Sequence, residues 1–281
     1  MDFLQNLQGQ LEHLEQQDQL RRCRTIVSAQ GPVVTMDDGS EKILLCSNNY
    51  LNLAEDPRIK QAVVETVEQY GFGAAASRLI SGTMQAHTEL EAAFASFLHK
   101  EASLYFPSGW TANQAVLTTL PQKGDLVLLD RYDHASIIDP VKACEADFRT
   151  YRRNQPERLE KYLADSKYNN RFIVTESVFS MDGDTANLTE LVELRNKYNA
   201  ILIVDEAHSV GCFGSTGAGL CEQEGILDDV DIVIAPLGKA IAATGGIVAG
   251  AKVVIDMLVN KARPFIYTTA PSPVVAAAAF K

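Results

Sequence analysis

From residue 103 onward the chain repeats one pattern: a short unbroken apolar run, a stretch with helical spacing, then another apolar run. The runs at 103–106, 126–130, 148–151, 172–176, 201–205, 232–235 and 247–249 are expected to be strands. Helices are expected over 110–120, 136–145, 156–166 and 188–198. A strand that is apolar at every position needs cover on both faces, and helices between strands supply both the cover and the crossovers. The pattern therefore predicts an α/β fold built on a mostly parallel seven-stranded sheet with helices on both faces. A chain of 281 residues, 46% hydrophobic and 22% charged, is long and apolar enough to bury such a core.

The first hundred residues read differently. Phe3, Leu7, Leu11 and Leu14 recur at helical spacing within 2–22, so a helix is expected there. The segments 33–36 and 43–45 flank Asp38-Gly39 and predict a β-hairpin. Asp56-Pro57 has the form of an N-cap followed by a first-turn proline, with Ile59, Val63 and Val67 on one face of the helix it opens. The Gly- and Ala-rich stretch 71–82 is expected to be a loop, and Thr83 leads into a helix carrying Leu90, Phe94 and Leu98. This gives an N-terminal arm over 1–45, a large domain over 46–270, and a helix beginning at 271–281 that is expected to lead into a further domain outside this sequence.

Composition narrows the function classes. Net charge is −11 and the longest basic cluster is Arg21-Arg22-Cys23-Arg24, so no nucleic-acid partner is expected. No apolar run reaches the roughly 18 residues of a membrane-spanning helix, and no membrane partner is expected. The five cysteines are odd in number and lack CxxC or Cys/His spacing, which fits reduced thiols in a cytoplasm better than a disulfide frame and predicts no metal.

Polar residues gather where the predicted strands end. Phe106 precedes Pro107-Ser108-Gly109-Trp110-Thr111, a bare turn opening a helix and a natural anion cradle. Asp130 precedes His134, Glu176 precedes the run Ser177 to Asp184, and Asp205 precedes His208. Ligands of such sheets bind beyond the carboxyl ends of the strands. Each residue also has an ordinary structural use: Asp130 and Asp184 as helix caps, His134 as a packed histidine. Asp205-Glu206-Ala207-His208 resembles a helicase nucleotide motif, but the phosphate loop that motif requires is absent from the sequence.

Lys239 is harder to place structurally. It lies between two apolar runs, among Gly238, Ala240, Ala242, Ala243, Gly245 and Gly246. Keeping a lysine neutral at pH 7 costs about 4.6 kcal/mol from a reference pKa of ~10.4, unless its site depresses that value. An apolar pocket acts in that direction. Pyridoxal 5'-phosphate accounts for the whole set: its aldehyde needs an amine, its ring nitrogen a carboxylate, and its phosphate backbone donors. Lys239 and Asp205 would hold its two ends.

Read together, these residues resemble the α-oxoamine synthase family of fold-type I pyridoxal-phosphate enzymes. The resemblance rests on Ser47-Asn48-Asn49-Tyr50-Leu51, the run Ser77 to Thr83, the run Ser108 to Gln114, His134-Ala135-Ser136, the run Thr175 to Asp184, Asp205 to Ser209, and Gly238-Lys239-Ala240. It implies the large domain of that fold, with the small C-terminal domain of other members missing. It implies that Lys239 binds the cofactor's aldehyde and later moves the substrate's α-proton. His134 would stack on the ring, Asp205 pair with its nitrogen, and His208 and Ser180 lie near its phenolic oxygen. Gly109 and Trp110 would bind the phosphate side, with Ser108 and Glu176 in the same cofactor-binding set. Thr268 and Thr269 would reach a phosphate across a homodimer interface, and Arg21 and Asn48 would line the substrate side. The implied reaction condenses an amino acid, L-alanine in the first instance, with an acyl-CoA and releases carbon dioxide. A member using glycine and a non-catalytic partner subunit remain as alternatives. Members of the family often carry a phosphate-binding hydroxyl two or three residues before the lysine, where this chain reads Ala235-Pro236-Leu237, so a weaker phosphate contact is expected there.

Overall fold

The computed structural model describes residues 2–153 and 155–281 and divides into two compact units, Met1–Cys46 and Ser47–Lys281. The first unit holds helix α1 (Phe3–Gln16) and a hairpin of β1 (Val33–Thr35) with β2 (Glu41–Ile43). Helix α1 is shorter than its expected 2–22 span. Its apolar repeat ends at Leu14, and Asp18 then takes a left-handed backbone, φ +54°, which stops the helix. The second hairpin strand begins at Glu41 rather than Ile43 because the turn closes early. Met36 N–H donates to Ser40 O, and Gly39, at φ +80°, supplies the left-handed position, so Val34 faces Lys42.

The second unit begins with α2 (Pro57–Tyr70), capped by the Asp56 carboxylate accepting from Arg58 N–H, and α3 (Gln85–Phe97). The expected loop between them contains a π-helical turn over Arg78–Gly82. Buried Arg78 fixes that turn by donating to Thr83 Oγ1 and to both oxygens of Glu91. Elements then alternate: β3 (Ala102–Phe106), α4 (Gly109–Thr119), β4 (Leu126–Asp130), α5 (Ala135–Ala143), β5 (Asp147–Tyr151), α6 (Pro156–Leu163), β6 (Arg171–Glu176), α7 (Leu188–Tyr198) and β7 (Ile201–Asp205). After α8 (Leu220–Gln223) come β8 (Ile232–Pro236), β9 (Gly246–Gly250), α9 (Lys252–Lys261), α10 (Arg263–Ile266) and α11 (Pro273–Phe280).

The seven-stranded sheet has the order β3-β9-β8-β7-β6-β4-β5. Strand β9 runs antiparallel to both its neighbours, while the β8-β7-β6-β4-β5 pairs are parallel. The reversal follows from chain length: the segment 237–245 is too short for a crossover helix, so β8 and β9 form a hairpin. Alternate strand residues enter two separate cores. Leu126, Leu128, Ile173, Leu202 and Val204 lie in one, and Val127, Leu129, Val174 and Ile203 in the other. That two-sided burial explains why the strands read as unbroken apolar runs. Among the described residues no helix is long and apolar enough to cross a membrane.

Candidate active site

Strands β4, β6 and β7 end side by side, and each ends in a buried carboxylate: Asp130, Glu176 and Asp205. Glu176 and Asp205 are register partners on adjacent parallel strands, so their side chains emerge on the same face. Beyond these ends lies a cavity of about 420 Å³, within the size range of small-ligand sites. Asn48, His134, Glu176, Asp205 and Lys239 all line it, together with Ser108, Gly109 and Trp110 from the start of α4.

Asp205 is 4% exposed and held by two donors. Ala207 N–H donates to Oδ1 at 2.9 Å, and Asn113 Nδ2 donates to Oδ2 at 2.8 Å. Asn113 Nδ2 also reaches Ser136 Oγ at 3.1 Å, and Ser136 Oγ lies 2.8 Å from His134 Nδ1. The result is a chain of contacts from the carboxylate to the histidine ring. Ser136 N–H donates to the same Nδ1, which fixes the ring as the cap of α5. Burial pushes the Asp205 carboxyl above its ordinary value, against the Asn113 hydrogen bond and the nearby charge of Lys239. A cationic ring nitrogen would relieve that strain.

Lys239 sits in the tight loop between β8 and β9. The loop is closed by Leu237 N–H donating to Gly245 O and by Ala243 N–H donating to Leu237 O. Gly245, at φ +118°, lies against the Tyr105 ring, where a side chain would collide. Among the described residues the Lys239 ammonium has no hydrogen bond or ion pair. Burial lowers its pKa, while Asp205 and Glu176 pull it back up.

The phosphate end is a helix terminus. Ser108 and Thr111 cap each other reciprocally, each side-chain oxygen taking the other's backbone N–H. That leaves the N–H groups of Gly109 and Trp110 without acceptors among the described residues, as expected of a first helical turn. Only glycine fits at position 109, because a Cβ would lie 2.7 Å from the Pro236 ring. Amine, buried carboxylate and anion cradle thus converge on one ring-sized space, which fits pyridoxal phosphate.

The other expected site residues fall in various places. His208 follows β7, half-buried, with Nδ1 2.8 Å from the Tyr50 hydroxyl. Burial lowers its pKa to about 4, with Lys239 and His134 adding to the effect, so it is neutral at pH 7. Ser180 is exposed and does not line the cavity. Thr268 and Thr269 do not line it either; Thr269 forms an antiparallel bridge with Ser77. Arg21 is exposed in the first unit. Sequence reading assigned no role to Asn113, Ser136 or Tyr50. Asn113 carried no signal of its own, standing beside Gln114 in a helix that also holds three threonines.

Glu176 yields a stability prediction. It is 2% exposed, its Oε1 accepts His134 N–H at 2.7 Å, and its pKa is raised to about 7 by burial and then by Asp205. A carboxyl protonated more readily when folded than unfolded costs stability as it ionises. The cofactor-free protein is therefore expected to lose stability as pH rises from about 4.5 to about 7, the interval between the two values, with this contribution level above it. Glu176→Gln keeps an acceptor for His134 and is expected to flatten that slope. Urea midpoints measured across this pH interval check it; equal slopes in both proteins would refute it.

Comparison with known proteins places this site in a family. Residues 40–281 match the model for aminotransferase class I and II, and the chain belongs to that family. Within it the chain is an α-oxoamine synthase-type enzyme that depends on pyridoxal phosphate. It is 45% identical over 275 residues to the 8-amino-7-oxononanoate synthase of Geobacter sulfurreducens, a match covering 98% of this chain and 70% of that one. The 8-amino-7-oxononanoate synthase of Petrotoga mobilis is 41% identical over 284 residues, covering 100% and 72%. A serine palmitoyltransferase from S. paucimobilis, solved with pyridoxal phosphate and myriocin, superposes with a TM-score of 0.92 at 31% identity, covering 100% and 72%.

Proposed function

We propose that the protein is a pyridoxal-phosphate-dependent C-acyltransferase that joins L-alanine to a pimeloyl thioester with loss of carbon dioxide, as an 8-amino-7-oxononanoate synthase of biotin synthesis. The observation that carries this reading is the convergence of Lys239, Asp205 and the α4 terminus on one cavity. When bound, the cofactor supplies an electron sink for the carbanion at the amino acid's α-carbon.

The chain's own residues do the rest. Lys239 Nζ, its pKa lowered by burial, is available as a base for the α-proton. Asp205, gripped by Asn113 and Ala207, would hold a carboxylate oxygen for the cofactor's ring nitrogen. His134, locked by Ser136, offers a flat ring face. The N–H groups of Gly109 and Trp110 would hold the phosphate, while Pro236 beside them adds no donor. Asn48 stands on the substrate side of the cavity.

The same reading makes the protein a homodimer. Thr268 and Thr269 stand away from this protomer's cavity, and Phe72, Ile80 and Tyr267 are exposed apolar side chains in the same unit, suited to a second copy. All five cysteines are unpaired, which supports a reducing, cytoplasmic setting. The test is release of CoA by the loaded protein with L-alanine, glycine or L-serine against acyl-CoAs of graded length. L-Alanine with pimeloyl-CoA is expected to give the highest kcat/KM. A preference for glycine with acetyl-CoA, or no turnover with any pair, would overturn the assignment.

A further inference from the structure

Tyr50 ties Asn48, which lines the cavity, to His208, which does not line it but lies close enough to Lys239 to feel its charge. Its hydroxyl oxygen lies 3.1 Å from Asn48 Oδ1 and 2.8 Å from His208 Nδ1, a residue 158 positions away. A tyrosine hydroxyl has one hydrogen to give and lone pairs with which to accept. It donates to Asn48 Oδ1, which can only accept. The shorter contact then needs its hydrogen from the other side, so His208 Nδ1–H donates to the Tyr50 oxygen. Half-burial, with Lys239 adding to it, lowers the His208 pKa to about 4, so at pH 7 the ring is neutral and has a single N–H to place. With that hydrogen on Nδ1, Nε2 is left as an acceptor.

We propose that Tyr50 is a positioning residue whose single hydroxyl hydrogen locks the tautomer of His208 to the amide orientation of Asn48. Reversing the hydroxyl reverses both ends together. If the hydroxyl donates to Nδ1, His208 carries its hydrogen on Nε2 and becomes a donor there. Asn48 must then turn its Nδ2 toward the Tyr50 oxygen to avoid two facing acceptors. This rests on the pyridoxal-phosphate reading in one respect: His208 is near enough to Lys239 to feel its charge, and an acceptor oxygen of a cofactor bound there would draw the Nε2–H form. Loading the cofactor would thus change which end of the Asn48 amide is committed to Tyr50, and so what Asn48 offers the substrate.

Histidine ¹⁵N spectra report the tautomer directly, and the five histidines make assignment tractable, with the His208 signals identified by their loss in His208→Gln. The cofactor-free wild type is expected to show His208 as Nδ1–H and the loaded protein as Nε2–H. Tyr50→Phe removes only a hydroxyl from a side chain that is 43% exposed. It is expected to show Nε2–H, the form a free neutral imidazole prefers, with and without cofactor. Asn48→Ala frees the hydroxyl to turn to Nδ1 and is expected to give Nε2–H as well. Turnover of Tyr50→Phe should fall about tenfold, the size of one lost hydrogen bond, at unchanged cofactor content. A cofactor-free wild type with His208 as Nε2–H would overturn the proposal, as would Tyr50→Phe that keeps the wild-type tautomer. A wrong cofactor assignment would show separately, as no visible absorption band on adding pyridoxal phosphate, and the cofactor-free spectra would still decide the role of Tyr50.

Discussion

Lys239→Ala is expected to lower turnover by at least about four orders of magnitude, the scale seen when a covalent catalytic group is removed. Borohydride treatment of the loaded wild type should add the cofactor's mass irreversibly, and the same treatment of the variant should add nothing. The fold is expected to survive. Among the described residues the ammonium makes no hydrogen bond or ion pair, and the loop that carries it is closed by backbone bonds at Leu237, Ala242, Ala243 and Gly245. The substitution should also remove a pH effect. Lys239 binds its proton less readily folded than unfolded, so the unfolded chain carries more protons between the lowered value and 10.5. Stability of the cofactor-free wild type therefore gains a rising contribution through that interval, and the variant should lack it. A variant that still captures the cofactor's mass, or turns over within tenfold of wild type, would remove Lys239 from the centre of the site.

The sheet was legible in the sequence because burial on both faces leaves a mark that no helix between the strands erases. Every position of β4 and four of the five in β7 are buried, and these runs stood out without reference to any motif. The direction of β9 was not legible, because apolar content carries no sign of direction. It is set by the shortness of 237–245, a connection too short for a crossover, and the hairpin's closing bonds fix it. Helix α1 was overextended for a related reason. Gln and Glu after Leu14 are good helix formers, but they give no apolar contact to hold another turn, and α1 buries none of its residues.

The site divides along similar lines. Lys239, Asp205 and Glu176 could be found because charge in an apolar setting is costly and calls for an explanation. Asn113, Ser136 and Tyr50 could not, since their importance lies in contacts between distant segments: Asn113 meets Asp205 across 92 positions, and Tyr50 meets His208 across 158. The run Ser77 to Thr83 was read with the functional motifs. Its arginine serves the fold, bonding Thr83 and the partly buried Glu91, whose Oε1 also accepts Tyr105 N–H in β3.

Asp205→Asn is expected to reduce turnover by about two to four orders of magnitude, the equivalent of the ~3–5 kcal/mol lost when one partner of a buried charge pair is removed. Cofactor binding should be weakened but not abolished, because Lys239 and the α4 terminus are untouched. The local structure can absorb the change. Asparagine keeps one oxygen to accept Ala207 N–H. Its new Nδ2 can be met by Asn113 Oδ1, a buried atom that has no partner in the wild type. Asn113 must turn over to do this, giving up its donation to Ser136, so His134 should lose part of its support as well. In the cofactor-free protein the sign reverses. Burial holds the Asp205 carboxyl above its ordinary value, so its ionisation costs stability, and the neutral amide should leave the empty protein as stable or more so at neutral pH. Turnover should therefore collapse while the melting temperature of the empty protein holds or rises. Single-turnover rates, visible absorption and thermal melts on the same samples measure these three quantities. A misfolded variant would lose cofactor and melting temperature together. A variant turning over within threefold of wild type would mean that the charge at Asp205 does not act on the ring nitrogen.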